Sequence, residues 1–137
     1  MQLSQIVKGK KIDKSPAPLR NSDIIMAEVF LDAKIGSQLK EYLTEYGYIG
    51  CGSIEMYGIN RRMIARSDMI TTTAMLHEYY SRTKELIAIE NQGDGDYYMV
   101  DENDNVYRFL MTGKRLSRTN KKLFDYISQR LSTVKSK

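Results

Sequence analysis

The sequence predicts an α+β fold: a mainly antiparallel sheet flanked by helices, rather than a doubly wound parallel one. Three observations carry that expectation. Helical periodicity dominates the first half of the chain and returns only near its end. Between these stretches lie three short apolar runs in quick succession. The segments joining those runs, NQGDGD and DENDN, are turn sequences too short for a crossover helix, so neighbouring strands must run antiparallel. A chain of 137 residues is long enough to form one domain with its own core.

Residues 1–21 are lysine-rich, contain Pro16 and Pro18, and show no sustained periodicity. They are expected as a flexible basic lead-in, with residues 22–137 forming a single domain. Ser22 or Asp23 is positioned to cap a first helix whose Ile24, Ala27, Val29, Phe30 and Leu31 form a broad apolar stripe ending near Gly36. Ser37 then caps a second helix. Its Leu39, Tyr42, Leu43 and Tyr46 fall at i, i+3, i+4 and i+7, on one face, with Gly47 as the left-handed stop.

The segment SIEMYGI alternates apolar and polar residues and reads as a strand. A short helix is expected from Thr71 or Thr72 through Met75, Leu76, Tyr79 and Tyr80. Strands follow at Leu86–Glu90, Tyr97–Val100 and Val106–Leu110. A last helix from Asn120 presents Leu123, Phe124, Ile127 and Leu131 to the core. The expected order is helix, helix, strand, helix, three strands, helix.

Composition narrows the function classes. With 42% hydrophobic and 28% charged residues the chain is an ordinary globular sequence, not a disordered or collagen-like one. The lone Cys51 has no partner for an intramolecular disulfide, which fits a reducing compartment. The opening MQLSQIVKGKK is too poor in apolar residues for a signal peptide, and nothing approaches the roughly 18 apolar residues of a membrane span. A cytoplasmic location with no membrane partner is therefore expected.

The net charge of +4 is unevenly distributed. Residues 21–110 carry eight basic against fifteen acidic side chains, whereas residues 1–20 carry five against one and residues 111–137 eight against one. An acidic body with basic ends favours a basic protein partner over nucleic acid. The C-terminal basic run (Lys114, Arg115, Arg118, Lys121, Lys122, Arg130, Lys135, Lys137) leaves nucleic-acid binding as the alternative, but its nearest aromatics fall on a helix whose Phe124 belongs to the apolar stripe.

Spacing favours no catalytic or metal constellation, and an enzyme using a divalent metal on Glu90, Asp94, Asp96, Asp101, Glu102 and Asp104 stays only as a third reading. Asp101, Asn103 and Asn105 begin a calcium loop that would need glycine at 106 and glutamate at 112, where the chain has Val106 and Thr112. Asp and Gly are also what hairpin turns require. Gly50-Cys51-Gly52 leads into Glu55, where a dinucleotide fingerprint needs its third glycine. Arg115 follows Gly113-Lys114 where a phosphate loop needs Ser or Thr. Cys51 and His77 could pair as nucleophile and base, but a structural cysteine is the simpler reading. No enzyme, cofactor or metal is expected. Ten tyrosines without tryptophan suit a contact surface better than a catalytic pocket.

Taken in order, IGSQLKEYLTEYG, GCGSIEMYGI, ELIAIENQGDGDYYMVDENDNVYRF and KLFDYISQRL resemble the SUKH superfamily of bacterial immunity proteins and fungal cell-wall assembly regulators. Glu55, Tyr57 and Gly58 match its first strand motif; Asp94, Gly95, Asp96, Tyr97 and Tyr98 its second; Asp101, Val106 and Tyr107 its third. The chain departs from the pattern with Gly36-Ser37 in place of a proline, with Cys51 splitting a glycine pair, and with Phe109 in place of a tryptophan. The resemblance implies an α+β domain and, for short bacterial members, an immunity protein that binds and neutralises a toxin domain, often a nuclease, without catalysis. On that reading Glu55, Asp94, Asp96 and Asp101 steer a basic toxin, and Tyr57 and Tyr97 anchor it. A scaffold or regulatory role, like that of the fungal relatives, is the other outcome the resemblance allows.

Overall fold

Residues 2–134 are described by a computed structural model, and Lys135 and Lys137 of the basic run lie outside the described residues. Helices α1 (Leu3–Ile6), α2 (Asn21–Leu31) and α3 (Ser37–Glu45) lead into a small hairpin, β1 (Ile49–Cys51) and β2 (Ile54–Met56). A 3₁₀ segment (Arg61–Arg66), α4 (Asp68–Tyr79) and a second 3₁₀ turn (Ser81–Thr83) follow. The main sheet comprises β3 (Ile87–Asn91), β4 (Asp96–Val100), β5 (Asn105–Leu110) and β6 (Arg115–Lys122), and α5 (Leu123–Ser132) closes the described chain. Its strands lie in the order β3-β4-β5-β6, each antiparallel to its neighbour, so the fold is α+β as expected.

The sheet divides the apolar interior in two. Ile87, Ile89, Val100 and Val106 pack with α2, α3 and α5 into the larger cluster, through residues such as Leu31, Leu39, Leu43, Ile127 and Leu131. Tyr97, Met99 and Phe109 point to the other face and meet Leu76 of α4, forming a smaller cluster. That alternation is the period-two geometry of a strand. The two sheets are joined by Tyr57, whose N–H donates to the Ile89 carbonyl at 2.8 Å.

Several elements differ from the sequence expectation. The expected lead-in over residues 1–21 is not a loose arm throughout: among its described residues, Leu3, Ile6 and Leu19 are buried in the larger cluster. Asp13 exchanges two backbone hydrogen bonds with Gly50, at 2.8 and 2.9 Å, and Ser15 donates to the Tyr46 carbonyl at 2.8 Å. The lead-in is thus fastened by main-chain pairing, which side-chain patterning does not reveal. The basic run 115–122 is a strand rather than the lead into a helix, and it pairs with β5 along its length apart from one irregularity.

Helix α2 begins two or three residues earlier than expected, with Arg20 rather than Ser22 or Asp23 as its N-cap, and Asp23 sits inside its first turn. From there its carboxylate accepts the Arg20 N–H at 2.9 Å, and that bond holds the Asp23 carboxyl below its ordinary range. Only part of the expected stripe is core. Ile24, Ala27 and Leu31 are buried, while Ile25, Met26, Val29 and Phe30 are 66%, 51%, 76% and 46% exposed. The helix is apolar on both sides, and only one side is covered.

Helix α3 is capped from a distance. Its N-cap is Gly36, not Ser37. The buried carboxylate of Asp104, in the β4–β5 turn, accepts the N–H groups of Gln38 at 2.9 Å and Leu39 at 3.0 Å. A Cβ on Gly36 would come within 2.6 Å of that carboxylate, so glycine makes room for the cap. Gly58 meets a harder limit, because a Cβ there would lie 2.0 Å from the Gly47 carbonyl oxygen.

Candidate functional site

The six residues singled out by sequence do not form one cluster. Glu55 is exposed on β2, and Asp94 is exposed in the β3–β4 turn at φ 54°. Asp96 is held by Arg108 through a two-pronged ion pair, at 2.8 and 3.1 Å. Tyr57 is half-buried between the two apolar clusters. Tyr97 is 7% exposed and belongs to the smaller cluster, so its ring cannot anchor a partner without the sheet opening.

Asp101 organises the β4–β5 turn. It accepts hydrogen bonds from the Asn103 N–H at 2.9 Å, the Asn105 N–H at 3.0 Å, the Asn105 amide at 3.1 Å and the Tyr107 hydroxyl at 3.0 Å. Burial pushes its carboxyl up, but the bonds from Asn105, Asn103 and Tyr107 prevail and keep it below the ordinary value.

Asp101 also borders a cleft of about 600 Å³ between α2 and the β4–β5 turn. Four more carboxylates line it, Glu28, Asp32, Glu85 and Glu102, against one lysine, Lys34. Glu28 accepts the Ile35 N–H at 2.8 Å, which ties the segment after α2 back onto the helix. None of the five is ion-paired to a described residue. The exposed Ile25 and Val29 of α2 form part of the same wall. Five of the fifteen acidic residues in the segment 21–110 meet here. Composition located the excess but not the cleft, because Glu28, Glu85 and Glu102 converge from three distant segments.

On the α5 side of the sheet a second hollow, about 490 Å³, carries the opposite sign. Arg108, Arg118, Lys121 and Arg130 line it with Tyr98 and Tyr126, whose ring centroids lie 5.0 Å apart. Much of that charge is already satisfied. Arg130 grips the buried Glu90 at 2.9 and 2.7 Å, and the Tyr126 hydroxyl donates to the same carboxylate. Burial and the adjoining Glu90 charge push Tyr126 well above the ordinary tyrosine range. Arg108 is held by Asp96.

Cys51 is buried and reduced in β1, and the His77 ring bonds the Leu86 carbonyl at 2.7 Å, so each has a structural place. Among the described residues no three His, Cys, Asp or Glu side chains converge to hold a metal, and no helix is long and apolar enough to cross a membrane. Comparison with curated proteins returns no match. A protein-family model does match: SUKH_5, described as SMI1-KNR4 cell-wall, over residues 3–132. That match takes in α1 as well as every helix and strand after it, and the chain belongs to the SUKH family.

Proposed function

We propose that this protein is an immunity protein that binds a cognate toxin domain in the cytoplasm and neutralises it by covering its working face. The observation that carries the reading is the cleft between α2 and the β4–β5 turn, with five carboxylates that make no ion pair among the described residues, against one lysine. A toxin that acts on nucleic acid presents a basic face, and an acidic cleft attracts such a face and speeds its docking. Family membership supports a role in binding rather than chemistry. Asp101 enters the contact as one wall of the cleft, while Glu55 and Asp94 contribute only to the surrounding field.

The test is co-purification with the toxin domain encoded beside this gene, together with rescue of cells that express it. Binding and rescue are expected. A folded protein that neither binds the domain nor protects the cells would refute the proposal. Nucleic-acid binding is the weaker reading, because Arg108 and Arg130 in the basic hollow are already committed to Asp96 and Glu90.

A further inference from the structure

Helix α2 carries an apolar ridge that the fold does not use. Ile25 and Val29 are one helical turn apart on its outer side, and Met26 and Phe30 form a parallel pair beside them. The four residues expose a surface one to two turns long, on a regular helix whose other side is fixed in the core by Ile24, Ala27 and Leu31. Single exposed apolar residues need no explanation, but four contiguous ones on one helix do.

The ridge and the acidic cleft share a wall. Ile25 and Val29 line the cleft together with Glu28, Asp32, Glu85 and Glu102. A contact centred on the ridge therefore has an apolar middle and a negative rim, the usual anatomy of a protein interface. Helix α2 offers no free backbone edge, because its amides are used within the helix, so strand addition is not available here. What fits a ridge with i,i+4 spacing is another row of side chains at the same spacing.

We propose that the Ile25–Val29 ridge is the anchor of the partner site, and that its occupant is an amphipathic helix with lysines or arginines beside its apolar stripe. The apolar stripe lies across Ile25, Met26, Val29 and Phe30, and the basic flank faces Glu28, Asp32, Glu85 and Glu102. The inference rests on the immunity reading for its biological partner, but its chemistry can be tested without the toxin. Affinity comes mainly from the ridge, while the carboxylates set orientation and association rate.

The probe is a synthetic helical peptide with leucines at i, i+3, i+4 and i+7 and lysines along one flank. A matched peptide with glutamates in place of the lysines is the control. Binding to the full chain is measured by fluorescence anisotropy at low and at physiological salt. The lysine peptide is expected to bind and the glutamate peptide to bind at least about tenfold more weakly. Val29→Asp should weaken the lysine peptide by about tenfold or more, while a Glu85→Lys, Glu102→Lys double variant should weaken it less and flatten its salt dependence. Lys121→Glu, in the basic hollow, should leave binding unchanged.

All four positions are exposed or on the surface strand, and circular dichroism checks that each variant is folded. Equal binding of the two peptides, no binding of the lysine peptide, or full binding by Val29→Asp would each overturn the inference. The same variants in the rescue assay separate the two proposals. Rescue by Val29→Asp at wild-type level removes the anchor and leaves the immunity reading standing. Peptide binding without rescue by the wild-type chain does the reverse.

Discussion

The cap that Asp104 places on α3 offers a quantitative test of how the fold is joined. Its carboxylate accepts two backbone N–H groups, from Gln38 and Leu39, and the second of these bonds is buried. Truncating the side chain in Asp104→Ala removes an N-cap, a loss of about 0.5–2 kcal/mol. The Leu39 N–H is then buried without a partner, which adds about 1–2 kcal/mol. Residue 104 also sits at φ 63°, a left-handed conformation that alanine tolerates less well than aspartate, at a further cost of about 1 kcal/mol.

The expected loss for Asp104→Ala is therefore about 3–4 kcal/mol, a fall in Tm on the order of 10 °C. Asp104→Asn keeps one acceptor oxygen and tolerates the backbone, so it should lose only about 1–2 kcal/mol. Asp104→Gly loses the cap but not the backbone conformation, and it should fall between the two. The assay is urea unfolding followed by circular dichroism at 222 nm, with m-values compared to confirm that the denatured states match. Stabilities of the alanine and asparagine variants within about 0.5 kcal/mol of wild type would refute the argument that this carboxylate holds α3.

Gly58→Ala should cost more than about 3 kcal/mol or abolish soluble expression, because its Cβ would lie 2.0 Å from a main-chain oxygen that cannot swing away; a near-normal melting curve would contradict this. Arg130→Met leaves Glu90 buried without its cation and should cost about 3–5 kcal/mol, whereas adding Glu90→Gln should recover much of the loss; a double-mutant cycle with no coupling would count against the buried pair. Asp23 and Asp101 titrate below the free-aspartate value of 3.8 in the folded chain, so each adds stability that is complete above that value and is lost as pH falls through the folded pKa. Asp101→Asn should accordingly show a shallower loss of stability than wild type as pH falls below about 4 in acid titrations followed by circular dichroism, and an unchanged slope would exclude its contribution.

What could be read in advance depended on whether an element's signal was local. Strands β3, β4 and β5 were legible because apolar runs alternate with Asp, Asn and Gly turns, and burial then sorts their residues onto two faces. β6 was not, since only Leu116, Thr119 and Lys121 are even half-buried and its solvent-facing charges mask the alternation. α1 has four residues and just two buried side chains, too little for periodicity to register. In α2 the apolar residues are plain in the sequence, but two apolar faces on one helix cannot be ranked without knowing what packs against them. The cap on α3 was invisible for a different reason: donor and acceptor are 65 residues apart for Leu39 and Asp104.

The same division applies to the site. Asp101 and Asp96 belong to motifs that sequence could identify, yet one is occupied in shaping a turn and the other in an ion pair with Arg108. Tyr97 alternates inward, as strand periodicity would have indicated had the covered face been known. The excess of negative charge in residues 21–110 was legible as a number, and its concentration between α2 and the β4–β5 turn was not.

The docking of α1 against α5 has a consequence for how the chain reaches its native state. Leu3 and Ile6 share a cluster with Ile127 and Leu131, and the Lys10 ammonium donates to the Val134 carbonyl at 3.1 Å. Segments near the two ends of the sequence must therefore meet before the larger cluster is complete. Closing so wide a loop costs only modestly more than closing half of it, about 0.6 kcal/mol per doubling of length. It does impose an order in time. During synthesis, the apolar residues of α1, α2 and α3 emerge long before Phe124, Ile127 and Leu131 exist to cover them. A fold so dependent on its last helix should be slow to form relative to its size and sensitive to C-terminal truncation.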